Sequence, residues 1–237
     1  MRKAALLAAM LLVYIFPASA ADGAPAASAF YSEACPAPDV PESARADDGY
    51  FTDAVLIGDS LSAGLSDADL LPELDVMTVI GLSPRAALTQ RKYRHDGQPV
   101  NLADKLAALR PPVVYFWLGS NGLSSIYAER ILADYDRLMD AVLPGIPDSI
   151  VYIMELPPVR KAALKRYPHY TNKRVDEFNA GLREVALRHN VYIITINHLL
   201  KNERGELRYS AEDGIHILKP AYELMADYMR AHTVPRQ

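Results

Sequence analysis

The 237-residue chain has one cysteine, Cys35, which excludes an intrachain disulfide framework and any cysteine-rich zinc site. It has no surplus of positive charge. Its 25 Lys+Arg stand against 29 Asp+Glu, a formal net charge of -4, so nucleic acid is not expected as a partner. The apolar run over 4–16 falls short of the roughly 20 residues a membrane helix needs. No G-x-G-x-x-G or P-loop follows the first predicted strand, which argues against a flavodoxin-like nucleotide binder. What remains is half hydrophobic and 23% charged, the balance of a globular domain with a sizeable core.

The N-terminus reads as an address. Arg2 and Lys3 precede the apolar run, and Pro17-Ala18-Ser19-Ala20 follows as a small-residue cleavage pattern. This order predicts a signal peptide over 1–20 and a secreted or periplasmic protein with no stable membrane span after cleavage. Residues 21–49 are rich in Ala, Pro, Ser and Asp, and Pro25, Pro36, Pro38 and Pro41 punctuate them. They read as a flexible leader, with one domain over 50–237. Cys35 falls in that leader, either idle or paired between molecules.

Within the domain, short apolar β-branched runs alternate with amphipathic stretches. Strands are predicted at Ala54–Ile57, Val76–Ile80, Val113–Leu118, Ile150–Met154 and Val191–Ile196. Helices are predicted at Leu102–Leu109, Ser125–Val142 and Thr171–Arg188, the last capped by Thr171 or Asn172. A final helix opens at Pro220. Repeated βα units imply an α/β fold, a parallel sheet with helices on both faces. Ligands bind such sheets beyond the carboxyl ends of the strands.

The residues just after the strands therefore matter most. Gly58-Asp59-Ser60-Leu61-Ser62 follows the first, Gly81-Leu82-Ser83-Pro84 the second, and Gly119-Ser120-Asn121-Gly122 the third. Each alone is also an ordinary turn. Asp213-Gly214-Ile215-His216 precedes the last helix, and a carboxylate three residues before a His can hold its Nδ1–H and leave Nε2 as a base. His95, His169, His189, His198 and His232 lack such a partner at this spacing and read as surface or packing residues. An Asp-x-x-His pair also occurs in metal sites, but no residues nearby complete a ligand set.

With nucleophile, oxyanion donors and an oriented base in chain order, the sequence resembles the SGNH hydrolase family, the GDSL-like esterases and lipases, from about Phe51 to Tyr228. Ile57-Gly58-Asp59-Ser60-Leu61 and Asp213-Gly214-Ile215-His216 carry most of the resemblance. The G-x-S-x-G elbow of the α/β-hydrolases is absent around Ser60. The resemblance implies a three-layer α/β/α, flavodoxin-like fold on a five-stranded parallel sheet. It implies Ser60 as nucleophile, His216 as base and then acid, and Asp213 as its orienter. The oxyanion hole would be the N–H groups of Ser60 and Gly81 with the Asn121 amide. The family's third block usually ends in Asp where this chain has Gly122.

These features imply a serine hydrolase that needs no metal or organic cofactor. The absence of a long apolar lid points to short acyl esters of small molecules or glycans. The stretches Arg91–His95 and Arg160–Tyr170 are basic and aromatic, and read either as solvated loops or as contacts to a sugar or an anionic head group. Two other readings stay open: a non-catalytic carbohydrate- or lipid-binding module on the same fold, and a lysophospholipase-type lipase.

Overall fold

The structure is a computed structural model that describes residues 38–125 and 127–236. The expected signal peptide, Cys35 and the leader up to residue 37 lie outside the described residues.

Strand β1 (Val55–Gly58) enters the core and leads into helix α1 (Ser60–Asp67). Next come β2 (Asp75–Thr78) and α2 (Pro84–Thr89). A small antiparallel hairpin, β3 (Tyr93–His95) and β4 (Gln98–Val100), precedes α3 (Leu102–Leu109). After β5 (Val113–Trp117) come a one-turn helix α4 (Ser120–Leu123) and the long α5 (Ala128–Val142). The chain ends with β6 (Ile150–Met154), α6 (Asn172–His189), β7 (Tyr192–Ile194) and α7 (Lys219–Ala231). The main sheet is parallel, with strand order β2-β1-β5-β6-β7.

All five expected strands are present, and β1 and β5 are buried at every position. Helices α1 and α7 pack together, and α2, α3, α5 and α6 form a second group. Two helical layers thus shield the sheet, as continuous apolar strands require. Side-chain caps set several helix starts. Ser83, Asn101 and Thr171 each accept an N–H from the first turn, a contact worth about 1 kcal/mol.

The structure departs from the sequence reading in four places. The helix expected from Ser125 starts at Ala128, because residues 120–123 already form a separate turn of helix. The hairpin at Tyr93–Val100 was not expected from the basic Arg91–His95 stretch. The Gly119–Gly122 block, expected as a turn, forms the one-turn helix α4. Finally, residues 38–49, assigned to a flexible leader, pack against the domain. The Ile193 N–H donates to Pro38 O at 2.7 Å, Asp39 bridges Ile193 in parallel, and Val40 is buried. Further on, the N–H groups of Ser43 and Ala46 donate to the carbonyls of Ala231 and Arg230 at the end of α7.

The topology also fixes where a site can form. From β1 the chain steps outward to β2. It then crosses back over β1 to β5 and proceeds through β6 to β7. Neighbouring β1 and β5 therefore send their following segments in opposite directions, and a crevice opens between their carboxyl ends. Ser60 follows β1 and Asn121 follows β5.

Candidate active site

Gly58 ends β1, and Asp59 caps α1 with extended backbone angles, accepting the Leu61 N–H on Oδ1 at 2.9 Å. A Cβ on Gly58 would fall 2.4 Å from the Ser62 side chain, so this tight strand-to-helix turn requires glycine. Ser60 is thereby the first residue of α1. Its N–H is one of the four that a helix start leaves without an intrahelical partner, at the positive end of the dipole.

His216 reaches Ser60 from the other end of the domain. Its Nε2 lies 3.0 Å from Ser60 Oγ, and its Nδ1 lies 2.6 Å from Asp213 Oδ2. The other carboxylate oxygen of Asp213 accepts the N–H groups of Ile215 and His216, at 2.9 and 3.0 Å. Asp213 thus folds its own loop while it faces the imidazole. Burial pushes its pKa up, but the hydrogen bonds from His216 and the two backbone N–H groups outweigh this and hold it below the ordinary carboxylate value. The carboxylate is therefore charged at neutral pH, the state that favours Nδ1–H and a free lone pair on Nε2. About half of each side chain is exposed, so Nε2 faces an open surface.

The segment after β6 supports this loop. Gly214 has a left-handed φ of 76°, and a Cβ there would approach Ala163 N to 2.7 Å. Gly214 O accepts the Arg160 N–H at 2.8 Å. The segment is itself tied to α6: Asn179 bonds both the N–H and the carbonyl of Leu156, and Asn172 does the same for Val159.

Asn121 and Gly81 come from the segments that follow β5 and β2. Asn121 Nδ2 donates to Asp59 Oδ2 at 2.7 Å and lies 3.3 Å from Leu82 O, so the loop after β2 and α4 meet here. Gly81 is exposed at a φ of 75°. Gly122, where the family usually has Asp, is buried in α4. The structure thus joins Ser60, His216 and Asp213 directly, and holds Asn121 and the Gly81–Leu82 loop around the same helix start.

Asp59, which the turn pattern allows as a helix cap, does more than cap. Asp59 is 1% exposed, and its Oδ2 receives both Asn121 Nδ2 and, at 2.5 Å, the Ser120 hydroxyl. Burial raises its pKa, against hydrogen bonds from Ser120, Leu61 and Asn121. It clamps the start of α1 to the start of α4. The signal was available: Asp at the N-cap of a predicted βα turn. Ser120 gave none, since its partner lies 61 positions away. The remaining histidines serve elsewhere; His189 contacts Asp136 at 3.1 Å, and His232 stacks on Tyr228. Among the described residues no group of three His, Cys, Asp or Glu is placed to hold a metal ion. No helix among them is long and apolar enough to cross a membrane.

Comparison with known proteins bears on this arrangement. No curated protein matches the chain. Among solved structures, it is similar to a GDSL-like lipase from Bacteroides thetaiotaomicron, with TM-score 0.59 and 13% identity, covering 79% of this chain and 90% of that one. A lipase/acylhydrolase from Enterococcus faecalis gives TM-score 0.54 and 19% identity over 75% and 93%. An acetyl xylan esterase gives TM-score 0.56 and 14% identity over 76% and 100%. At these identities the likeness speaks for the fold. The family model of GDSL-like lipases and acylhydrolases, however, matches residues 56–224, from the middle of β1 into α7, and the chain belongs to that family.

Proposed function

We propose that the protein is an exported serine esterase that cleaves short acyl esters, including O-acetyl groups on glycans or cell-wall material. The observation that carries the reading is the hydrogen-bonded row Ser60 Oγ, His216 Nε2, His216 Nδ1 and Asp213 Oδ2 at an open crevice. Ser60 Oγ attacks the ester carbonyl carbon while its proton passes to His216 Nε2. The charge that develops on the carbonyl oxygen is met by the N–H groups of Ser60 and Gly81 and by the Asn121 amide, which gives up its longer contact, to Leu82 O at 3.3 Å, to do so. The bond to the alcohol oxygen then breaks, and that oxygen takes the proton back from His216. Water repeats the sequence on the acyl-enzyme and releases the acid. Asp213 stabilises the imidazolium formed in each half.

The polar, open setting of His216 and Asp213 supports a short acyl group. Export is supported by the charged start, apolar run and small-residue pattern over 1–20. The substrate on this reading is a small molecule or a glycan ester, and no nucleic acid is involved.

The test is hydrolysis of p-nitrophenyl acetate and p-nitrophenyl octanoate by wild type and Ser60→Ala. We expect acetate to be preferred and kcat in the variant to fall by a factor on the order of 10³ or more. A variant as active as wild type would move the nucleophile elsewhere. A fold with no labelling of Ser60 by a fluorophosphonate would favour the binding-module reading.

A further inference from the structure

We propose that the alcohol part of the substrate carries an anion, a carboxylate on a sugar chain, and that a basic cleft next to the segment supporting the His216 loop binds it. This rests on the esterase reading above and adds the substrate class. The cleft has a volume of about 440 Å³ and is lined by Arg160, Lys201, Arg204 and Arg208, with Asn202, Glu203 and Glu206. No apolar side chain lines it. It gathers four cations against two acids on a chain whose net charge is -4.

Three of the four cations are available for a ligand. Lys201 is paired with Asp176 at 2.9 Å. The side chains of Arg160, Arg204 and Arg208 are exposed and form no ion pair among the described residues; Arg208 lies over the Tyr209 ring at 5.1 Å. Glu203 and Glu206 likewise neutralise none of them. Next to Arg160, the short helix Lys161–Lys165 and Arg166 add three more cations and no acid. A guanidinium is suited to a carboxylate, which it can engage through two parallel hydrogen bonds.

The cleft is also built rather than incidental. Asn172 holds both of its walls. It bonds Val159, the neighbour of Arg160, through N–H and carbonyl, and it donates to Gly205 O at 3.0 Å in the hairpin that carries Arg204 and Arg208. The Lys201–Leu207 bridge closes that hairpin.

Chemistry fixes which half of the ester meets the cleft. His216 Nε2 must protonate the leaving oxygen, so the alcohol lies on the His216 side of Ser60. The His216 loop rests on the Arg160 segment through the Arg160 N–H to Gly214 O bond. The alcohol, not the acyl group, therefore lies on the side of the loop that rests on the Arg160 segment, one wall of the cleft. A cleft lined only by polar and charged groups suits a hydrated sugar acid better than a lipid.

Two measurements test this. The first compares para-acetoxybenzoate, whose leaving alcohol is anionic, with its neutral methyl ester. Wild type should prefer the anionic ester, and Arg204→Gln/Arg208→Gln should lower that kcat/KM ratio about tenfold, as loss of a charge-assisted contact would. Arg204→Gln alone, at an exposed hairpin tip, should lower it in part. An unchanged ratio in a variant that melts like wild type overturns the proposal. The second measures calorimetric binding of oligogalacturonate to Ser60→Ala, which needs no turnover. Binding that Arg204→Gln/Arg208→Gln abolishes supports the cleft even if no ester is hydrolysed, in which case the esterase reading alone fails. Binding to phosphatidylglycerol vesicles without binding to oligogalacturonate would overturn the proposal in favour of an anionic membrane surface.

Discussion

Asp59 concentrates the energetic conflict of the site in one carboxylate. Three donors converge on it, yet burial raises its pKa. A raised value in the fold means the protonated form is favoured there, so its contribution to stability is present in acid and lost as pH rises through the folded pKa. Asn at this position keeps an oxygen for the Leu61 N–H and removes the buried charge, but it presents an amide to Asn121 Nδ2. We expect the melting temperature of Asp59→Asn, relative to wild type, to be higher at pH 7 than at pH 4. We also expect kcat on p-nitrophenyl acetate to fall by about 100-fold as Asn121 is displaced. A melting difference that does not vary with pH would show that the charge carries no cost. Three of the four motif blocks were legible because each follows a run that only a buried strand explains, and the fourth, Asp213 to His216, by the spacing of its carboxylate and imidazole. The clamp was not, since a contact between positions 59 and 120 leaves no local pattern.

At the scale of elements, helix α7 decides whether His216 meets Ser60. It begins three residues after His216 and packs on α1, where Tyr222 Oη donates to Leu61 O at 2.7 Å. This approach depends on Gly64: a Cβ there would lie 2.3 Å from Tyr222 Oη and 2.6 Å from two ring carbons. Two effects compete in Gly64→Ala. Helix propensity would stabilise by about 1 kcal/mol, whereas overpacking a buried ring costs about 1–3 kcal/mol. We expect the second to win, with a melting temperature lower by several degrees and kcat reduced more than KM. A rise in melting temperature would show that Tyr222 yields freely. The sheet was readable because β1, β5 and most of β6 are apolar without interruption. The hairpin was not. Arg91 to His95 shows no alternation, and Tyr93, its one buried residue, packs on the domain instead of completing a pattern. Likewise α4 is four residues long and contains Asn-Gly, a pair that otherwise signals a turn.

Across the whole molecule, the segment at 38–47 behaves as part of the domain. It covers the free edge of β7 through Pro38 and Asp39, pairs Asp39 with Arg183, and supplies donors to the last carbonyls of α7. Edge strands left open pair with other chains. A protein beginning at Asp48 should therefore melt several degrees lower and self-associate in sedimentation, while kcat on p-nitrophenyl acetate stays within about twofold, since none of these contacts reaches Ser60. Unchanged melting and a monomeric profile would make the segment dispensable. The composition of 21–49 could not reveal this, because Pro and Ala fit a spacer and an edge cover equally well. Ser60 and His216 are 156 positions apart. A nascent chain emerging N-terminus first displays its hydroxyl long before the imidazole exists outside the ribosome. The ability to cut esters would thus switch on only with the closing of α7 over α1, and the onset of turnover would serve as a clock for the end of folding.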